Sequence, residues 1–180
     1  SIPVFNSDDF LIRAKEYEGY LSPNTYFVEP DVKPAEIIKI DPKNYQTEVL
    51  SKAAKVLAEG GLVAFPTETV YGLGTNTNIP TAVKRLSDIK KSPEGRPFTF
   101  HLASADDIYL YTKDAPRLAI RLMRTFWPGP LTMVLPDSKG GWIGVRVPNH
   151  MIAHDLIRLS KVSVIATSVN IANQAPALDA

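Results

Sequence analysis

Leu62-Val63-Ala64-Phe65-Pro66-Thr67-Glu68-Thr69-Val70-Tyr71-Gly72-Leu73-Gly74 is the stretch on which the reading of this sequence turns. Four apolar residues closed by a proline, residues 62–65, have the pattern of a short buried strand. A loop rich in hydroxyls and glycine comes directly after it. Ligands of open α/β sheets bind outside the carboxyl ends of strands, so this loop is well placed for a site. Thr67 and Thr69 bring donor and acceptor hydroxyls, while Gly72 and Gly74 let the backbone approach closely. An ordinary turn leaving a strand is the competing reading. A Walker phosphate loop is excluded, because the Gly-Lys-Ser/Thr ending is missing.

Working outward, strand and helix signals alternate. Residues 37–40 read as a strand and residues 44–59 as a helix, ended by Gly60-Gly61. After the glycine loop, residues 80–91 form a helix with Val83, Leu86 and Ile89 in register, and residues 98–102 a strand. Ser104 and Asp107 have the spacing of a capping box. Asp114 is placed to cap the next helix, with Pro116 in its first turn. Residues 131–135 and 143–147 read as strands, Asn149 as the cap of a helix reaching Ser160, and residues 162–166 as the last strand. Some strands are joined by short Gly/Pro/Asp-rich links. The pattern predicts an α/β domain, α+β-like in character, whose twisted sheet is mixed rather than purely parallel. Residues 1–36 read as an irregular, proline-punctuated arm with one short helix over 8–15, and residues 37–180 as the domain proper.

Composition agrees with one globular unit. The chain has 180 residues, 44% hydrophobic and 22% charged, which excludes wholesale disorder. No apolar run approaches the ~18 residues of a membrane span, and no signal peptide is visible, so a cytoplasmic protein is expected. With 0 cysteines there is no thiolate metal site and no cysteine nucleophile. The net charge of +1 hides an acidic first quarter and a basic remainder. Its densest basic stretch runs from Lys84 to Arg96, compatible with a polyanion such as a nucleotide or RNA, or with a solvated helix face.

Three further segments carry chemistry. Lys90-Lys91-Ser92-Pro93-Glu94-Gly95-Arg96-Pro97 is a stiffened basic loop suited to phosphate oxygens, or an exposed turn. In Gly144-Val145-Arg146-Val147-Pro148 the arginine faces opposite to its apolar neighbours, and an inward arginine needs an anionic partner. Ser168 and Asn170 stand two apart after the last strand. His101 lies close enough behind the basic loop for its ring to reach the same pocket. His150 and His154 have helical spacing, yet lack the glutamate and third ligand of a metalloprotease helix, so no metal site is assigned. A Ser/His/Asp triad drawn through Ser168 and His101 lacks a nucleophile elbow.

In this order, residues 65–74, Lys90 to Pro97, Phe126-Trp127-Pro128-Gly129-Pro130-Leu131-Thr132, residues 145–148 and Thr167-Ser168-Val169-Asn170 resemble the YrdC/Sua5 family of L-threonylcarbamoyladenylate synthases. The likeness covers about residues 37–175. It implies a mixed α/β sheet bearing a basic concave cavity, in a domain that here lacks its usual C-terminal strand. It also implies a reaction: L-threonine, bicarbonate and ATP give threonylcarbamoyl-adenylate and pyrophosphate, the first step of tRNA t6A modification. By this resemblance Thr69, His101 and Arg146 hold threonine. Lys90, Ser92, Arg96, Thr132, Ser168 and Asn170 line the ATP and carbamate region, with Lys90 and Arg96 as the catalytic cations. Ser92 departs from the family, standing where an arginine is usual. Mg²⁺ accompanies ATP, tRNA or other RNA is a partner, and a threonylcarbamoyl-transferase acts downstream. The alternative is a relative of the same fold that binds RNA or nucleotide without synthase activity. A carbamoyl-transfer module of the hydrogenase-maturation type is less consistent, given the absent zinc-finger cysteines.

Overall fold

Val63–Phe65 is buried at all three positions, as expected of a strand covered on both faces. The computed structural model describes residues 2–4, 36–91, 97–113 and 115–169. Along them run β1 (Ile2–Val4), β2 (Glu36–Ile38), a 3-10 turn (Thr47–Leu50), α1 (Ser51–Ala58), β3 (Val63–Phe65), β4 (Gly72–Asn76) and α2 (Pro80–Lys90). Then come β5 (Thr99–His101), a second 3-10 turn (Ala105–Leu110), α3 (Arg117–Phe126), β6 (Met133–Pro136), β7 (Trp142–Arg146), α4 (Met151–Ser160) and β8 (Val164–Ser168). β1 and β2 form an antiparallel pair. The other six strands make one sheet in the order β3-β4-β8-β5-β7-β6. Only β5 and β7 run parallel within it; the sheet is mixed, as the sequence predicts.

Side chains alternate across a strand, so register assigns every residue to a face. Val63, Phe65, Val164 and Ala166 share one face and pack under α1 and α4, against Ala53, Leu57, Ile152 and Leu156. Ala64, Leu73 and Ile165 lie on the other face with Leu86 of α2. Val145, Met133 and Leu135 share that second face with Ala119 and Met123 of α3. Burying each leucine of these clusters stabilises the fold by roughly 1.5–3 kcal/mol. On the first face β5, β7 and β6 carry partly or fully accessible residues: Thr99, Gly144 and Trp142 are not buried, and Val134 is 64% exposed. That uncovered portion is the floor of the site.

Several expectations change. The Gly72–Asn76 segment is a strand, not loop, and all five residues are buried. Glycine is a poor strand former, so its sequence hides it. Here packing calls for glycine, most tightly at Gly74. A Cβ on Gly74 would lie 2.9 Å from Phe65 Cε1 and 3.1 Å from the Ile165 carbonyl oxygen. Ile2–Val4, expected in the irregular arm, forms β1. The helix expected from residue 44 begins as the 3-10 turn at Thr47 and becomes α1 at Ser51. Ser104 and Asp107 do form a capping box, but on a 3-10 turn rather than an α-helix. The expected cap at Asn149 is displaced to His150, which has extended backbone and no side-chain cap bond. Asn149 donates its backbone N–H elsewhere, to Glu68 Oε2 at 3.1 Å. The helix expected over 8–15 and the cap at Asp114 lie outside the described residues.

Candidate active site

Thr67 shapes the loop after β3. Its Oγ1 donates to the Val70 carbonyl at 2.6 Å and accepts from the backbone N–H groups of Thr69 and Val70. This side-chain turn holds Glu68 and Thr69 at its crest. The far end of the loop is tied down where Val169 N–H donates to the Tyr71 carbonyl at 3.0 Å.

Arg146, last residue of β7, reaches this crest from across the sheet. Its Nη2 donates to Glu68 Oε1 at 2.8 Å and to Thr69 Oγ1 at 3.0 Å, and its Nε donates to the Gly129 carbonyl at 3.2 Å. Among the described residues Nη1 carries no hydrogen bond. The two charged side chains are only 14% and 19% exposed. An arginine facing away from buried Val145 and Val147 was legible in the sequence; its protein partner was not. Glu68, the ion-pair partner of Arg146, is a residue that the sequence reading left without a role. The available signal was an acid inside the hydroxyl loop together with an inward arginine that needed an anion. Burial pushes the Glu68 carboxyl upward, but the bond from Arg146, its own backbone N–H and that of Asn149 outweigh this. The group is held below the ordinary carboxylate range.

His101 is in register with Arg146 across the parallel β5·β7 pair. It is 8% exposed, and its Nδ1 lies 3.0 Å from the Thr99 carbonyl. A carbonyl can only accept, so Nδ1 carries the proton and Nε2 keeps a lone pair. The Phe65 ring meets the imidazole edge-on at 6.0 Å between centroids. Burial, assisted by the Arg146 charge, pushes the His101 pKa from 6.5 down to about 4. At neutral pH the ring is therefore an uncharged acceptor. The folded pKa is depressed, so the unfolded chain binds the extra proton first. Stability is full above pH 6.5 and falls as pH drops towards 4. The expected loss is on the order of 3 kcal/mol across that window. Urea unfolding at stepped pH should show it, and His101→Asn should flatten the slope between pH 6.5 and 4.

On the other side of the floor, Lys90 Nζ donates to the Ser168 carbonyl at 3.0 Å and lies 3.1 Å from Ser168 Oγ. Between the two groups lies a row of small residues, Ala166, Thr99 and Gly144, paired across β8, β5 and β7. A Cβ on Gly144 would come 3.4 Å from Thr99 Oγ1 and 3.8 Å from Thr132 Cγ2. Thr132 thus borders the same floor. The structure brings together Thr69, Arg146 and His101, and separately Lys90 and Ser168. Ser92, Arg96 and Asn170 lie outside the described residues. Away from this floor, His154 Nε2 is bonded to the Pro148 carbonyl. Among the described residues no group of three or more His, Asp or Glu side chains could hold a metal ion. No helix among them is long and apolar enough to cross a membrane.

A mixed six-stranded sheet with one open half-face, flanked by a hydroxyl-rich loop on an arginine and by a lysine on a strand-end serine, defines an α/β domain with a candidate site on that face. The chain belongs to the Sua5/YciO/YrdC family, whose model, described as "Telomere recombination", matches residues 55–180. It is 45% identical over 131 residues to the threonylcarbamoyl-AMP synthase of Pyrococcus abyssi, covering 68% of this chain and 38% of that protein. To the threonylcarbamoyl-AMP synthase of Bacillus subtilis it is 37% identical over 135 residues, covering 69% and 39%. The P. abyssi Sua5 structure complexed with L-threonine superposes with a TM-score of 0.70 at 40% identity, over 74% of this chain and 42% of that one. The chain thus spans about two fifths of the length of these relatives.

Proposed function

We propose that this domain makes threonylcarbamoyl-adenylate from L-threonine, bicarbonate and ATP, releasing pyrophosphate. The observation that carries the reading is the convergence of Arg146 Nη2, Thr69 Oγ1 and neutral His101 at one end of an open floor, with Lys90 and Ser168 at the other. The first end suits an amino acid and the second a polyphosphate. The likeness to threonylcarbamoyl-AMP synthases supports the same assignment.

In this reading the Arg146 guanidinium takes the threonine carboxylate, and Thr69 and His101 Nε2 orient its hydroxyl and amine. The amine attacks bicarbonate carbon; a C–N bond forms, water leaves, and a carbamate results. A carbamate oxygen then forms a bond to the α-phosphorus of ATP while the bond to the β-phosphate oxygen breaks, and pyrophosphate carries the electron pair away. Such a transfer needs positioning and neutralised charge more than covalent help. Lys90 supplies charge; the family resemblance adds Arg96 to it and assigns Thr132, Ser168, Ser92 and Asn170 to the phosphates and carbamate. Mg²⁺ accompanies the ATP phosphates, as is usual for a cation that keeps most of its waters. In this reading the product feeds a threonylcarbamoyl-transferase acting on tRNA, and a cytoplasmic setting accords with it.

Incubating the chain with ATP, bicarbonate and single amino acids, and measuring pyrophosphate, tests this. Release should require both bicarbonate and threonine. Equal release without threonine would make a nucleotide hydrolase the better reading, and RNA binding with no release at all would favour a non-enzymatic relative.

A further inference from the structure

Trp142 opens β7 on the same face as Gly144 and Arg146, because residues two apart share a face. It is 69% exposed. Its cross-strand neighbour on β6 is Pro136, and Val134, also exposed, pairs with Gly144. The chain's other tryptophan, Trp127, is 8% exposed and donates its indole N–H to the Leu131 carbonyl at 2.7 Å. Trp142 is thus the exposed tryptophan of the two, and it stands on the uncovered face of the sheet.

Register places it relative to the site. Ala166, Thr99 and Gly144 pair in a row. Two residues beyond that row, in the same direction, stand Ser168 on β8 and Trp142 on β7. Two residues back stand His101 and Arg146. Successive same-face residues are about 6.6 Å apart along a strand and neighbouring strands about 4.8 Å apart. Trp142 therefore lies about 13 Å from Arg146 along β7, and roughly 10 Å across the sheet from the Ser168–Lys90 pair. The space between is floored by Gly144, which has no side chain, and by the short side chain of Thr99. A side chain on Gly144 would obstruct it.

We propose that the Trp142 indole is the stacking platform for the nucleobase of the nucleoside triphosphate substrate. This inference rests on the synthase reading for which substrate the floor holds. With the phosphates at Lys90 and Ser168 and the amino acid at Arg146, the ribose spans the small-residue floor and the base reaches the indole. Pro136 backs the platform from the edge strand. Stacking tolerates any base, so Trp142 contributes affinity and orientation while discrimination among bases lies elsewhere.

The test uses the whole chain, with ATP and inorganic tripolyphosphate as probes. ATP should quench the tryptophan emission of the wild type. Trp142→Phe should abolish the quench, because Trp127 is shielded, yet keep most of the ATP affinity by calorimetry. Trp142→Ala should weaken ATP binding about five- to a hundredfold, the range for losing one stacked base, and leave tripolyphosphate binding unchanged. Unaltered ATP affinity in Trp142→Ala, or no quench in the wild type, overturns the proposal. So does an equal loss of ATP and tripolyphosphate, or a loss confined to a short single-stranded RNA. A quench that persists where threonine-dependent pyrophosphate release is absent would sink the synthase reading and leave the platform standing; active synthase with unaltered Trp142→Ala affinity would do the reverse.

Discussion

Arg146→Ala should raise the threonine concentration needed for half-maximal pyrophosphate release roughly thirtyfold or more, with little change in the ATP requirement. The guanidinium is the one described cation bonded to the crest of the hydroxyl loop, and it keeps a terminal nitrogen that no described residue engages. Removing a partner from a shielded charge pair costs on the order of 2–5 kcal/mol, much of it from the anion left behind. Two anions are affected here: the substrate carboxylate and Glu68, which would keep only the Asn149 N–H and its local backbone contacts. The variant should therefore also lose stability at neutral pH, and the part of the acid-induced loss that wild type owes to Glu68 should shrink as that carboxyl returns towards the ordinary range. Arg146→Lys separates the effects. An ammonium can still neutralise Glu68 but cannot span Glu68, Thr69 and Gly129 together with a ligand. It should recover most of the stability and only part of the threonine affinity. An unchanged threonine curve in both variants would remove Arg146 from the amino-acid site. It would leave Arg146 as a strut joining β7 to the loop.

Local signals predicted local structure well. The Val83, Leu86, Ile89 register of α2 and the Ser104–Asp107 box were legible because each is set within a turn or two of chain. The direction of Arg146 was legible for the same reason. What failed depends on distant segments. β4 reads as a loop until Phe65 is laid over its glycines, and the packing that makes glycine necessary there involves β3 and β8 as well. The partner of Arg146 lies 78 residues away, a distance no periodicity spans. The open floor is hidden more deeply. Thr99 and Gly144 are unremarkable alone and become a surface only because β5 and β7 pair in parallel, placing them side by side. The resemblance supplied the family and the expected site residues. The pairing of Glu68 came from its bonds to Arg146 and Asn149, and the position of Trp142 from strand order and register.

Phe65→Ala should cost about 3–5 kcal/mol at neutral pH, the range for emptying a buried aromatic site. The ring is 0% exposed and covers both glycines of β4, lying 2.9 Å from a Cβ placed on Gly74 and 3.3 Å from one on Gly72. It also closes one side of His101. Burial is the largest cause of the depressed His101 pKa of about 4, so water entering the Phe65 cavity should move that value back towards 6.5. This fixes the sign of the pH effect. Wild type loses stability as pH falls from 6.5 to 4, because only its unfolded state takes up the proton. A variant whose folded state also takes it up loses less. The gap between wild type and Phe65→Ala should therefore narrow by about 2 kcal/mol between pH 7 and pH 5 if the His101 pKa recovers fully. Phe65→Leu, which keeps much of the volume, should show a smaller cost and little narrowing. Urea melts at the two pH values measure the gap, and an NMR titration of the imidazoles reads His101 directly. If the gap stays constant and His101 still titrates near 4, Phe65 is only a core residue, and the neutrality of the site histidine is set by β8 and the helices over it.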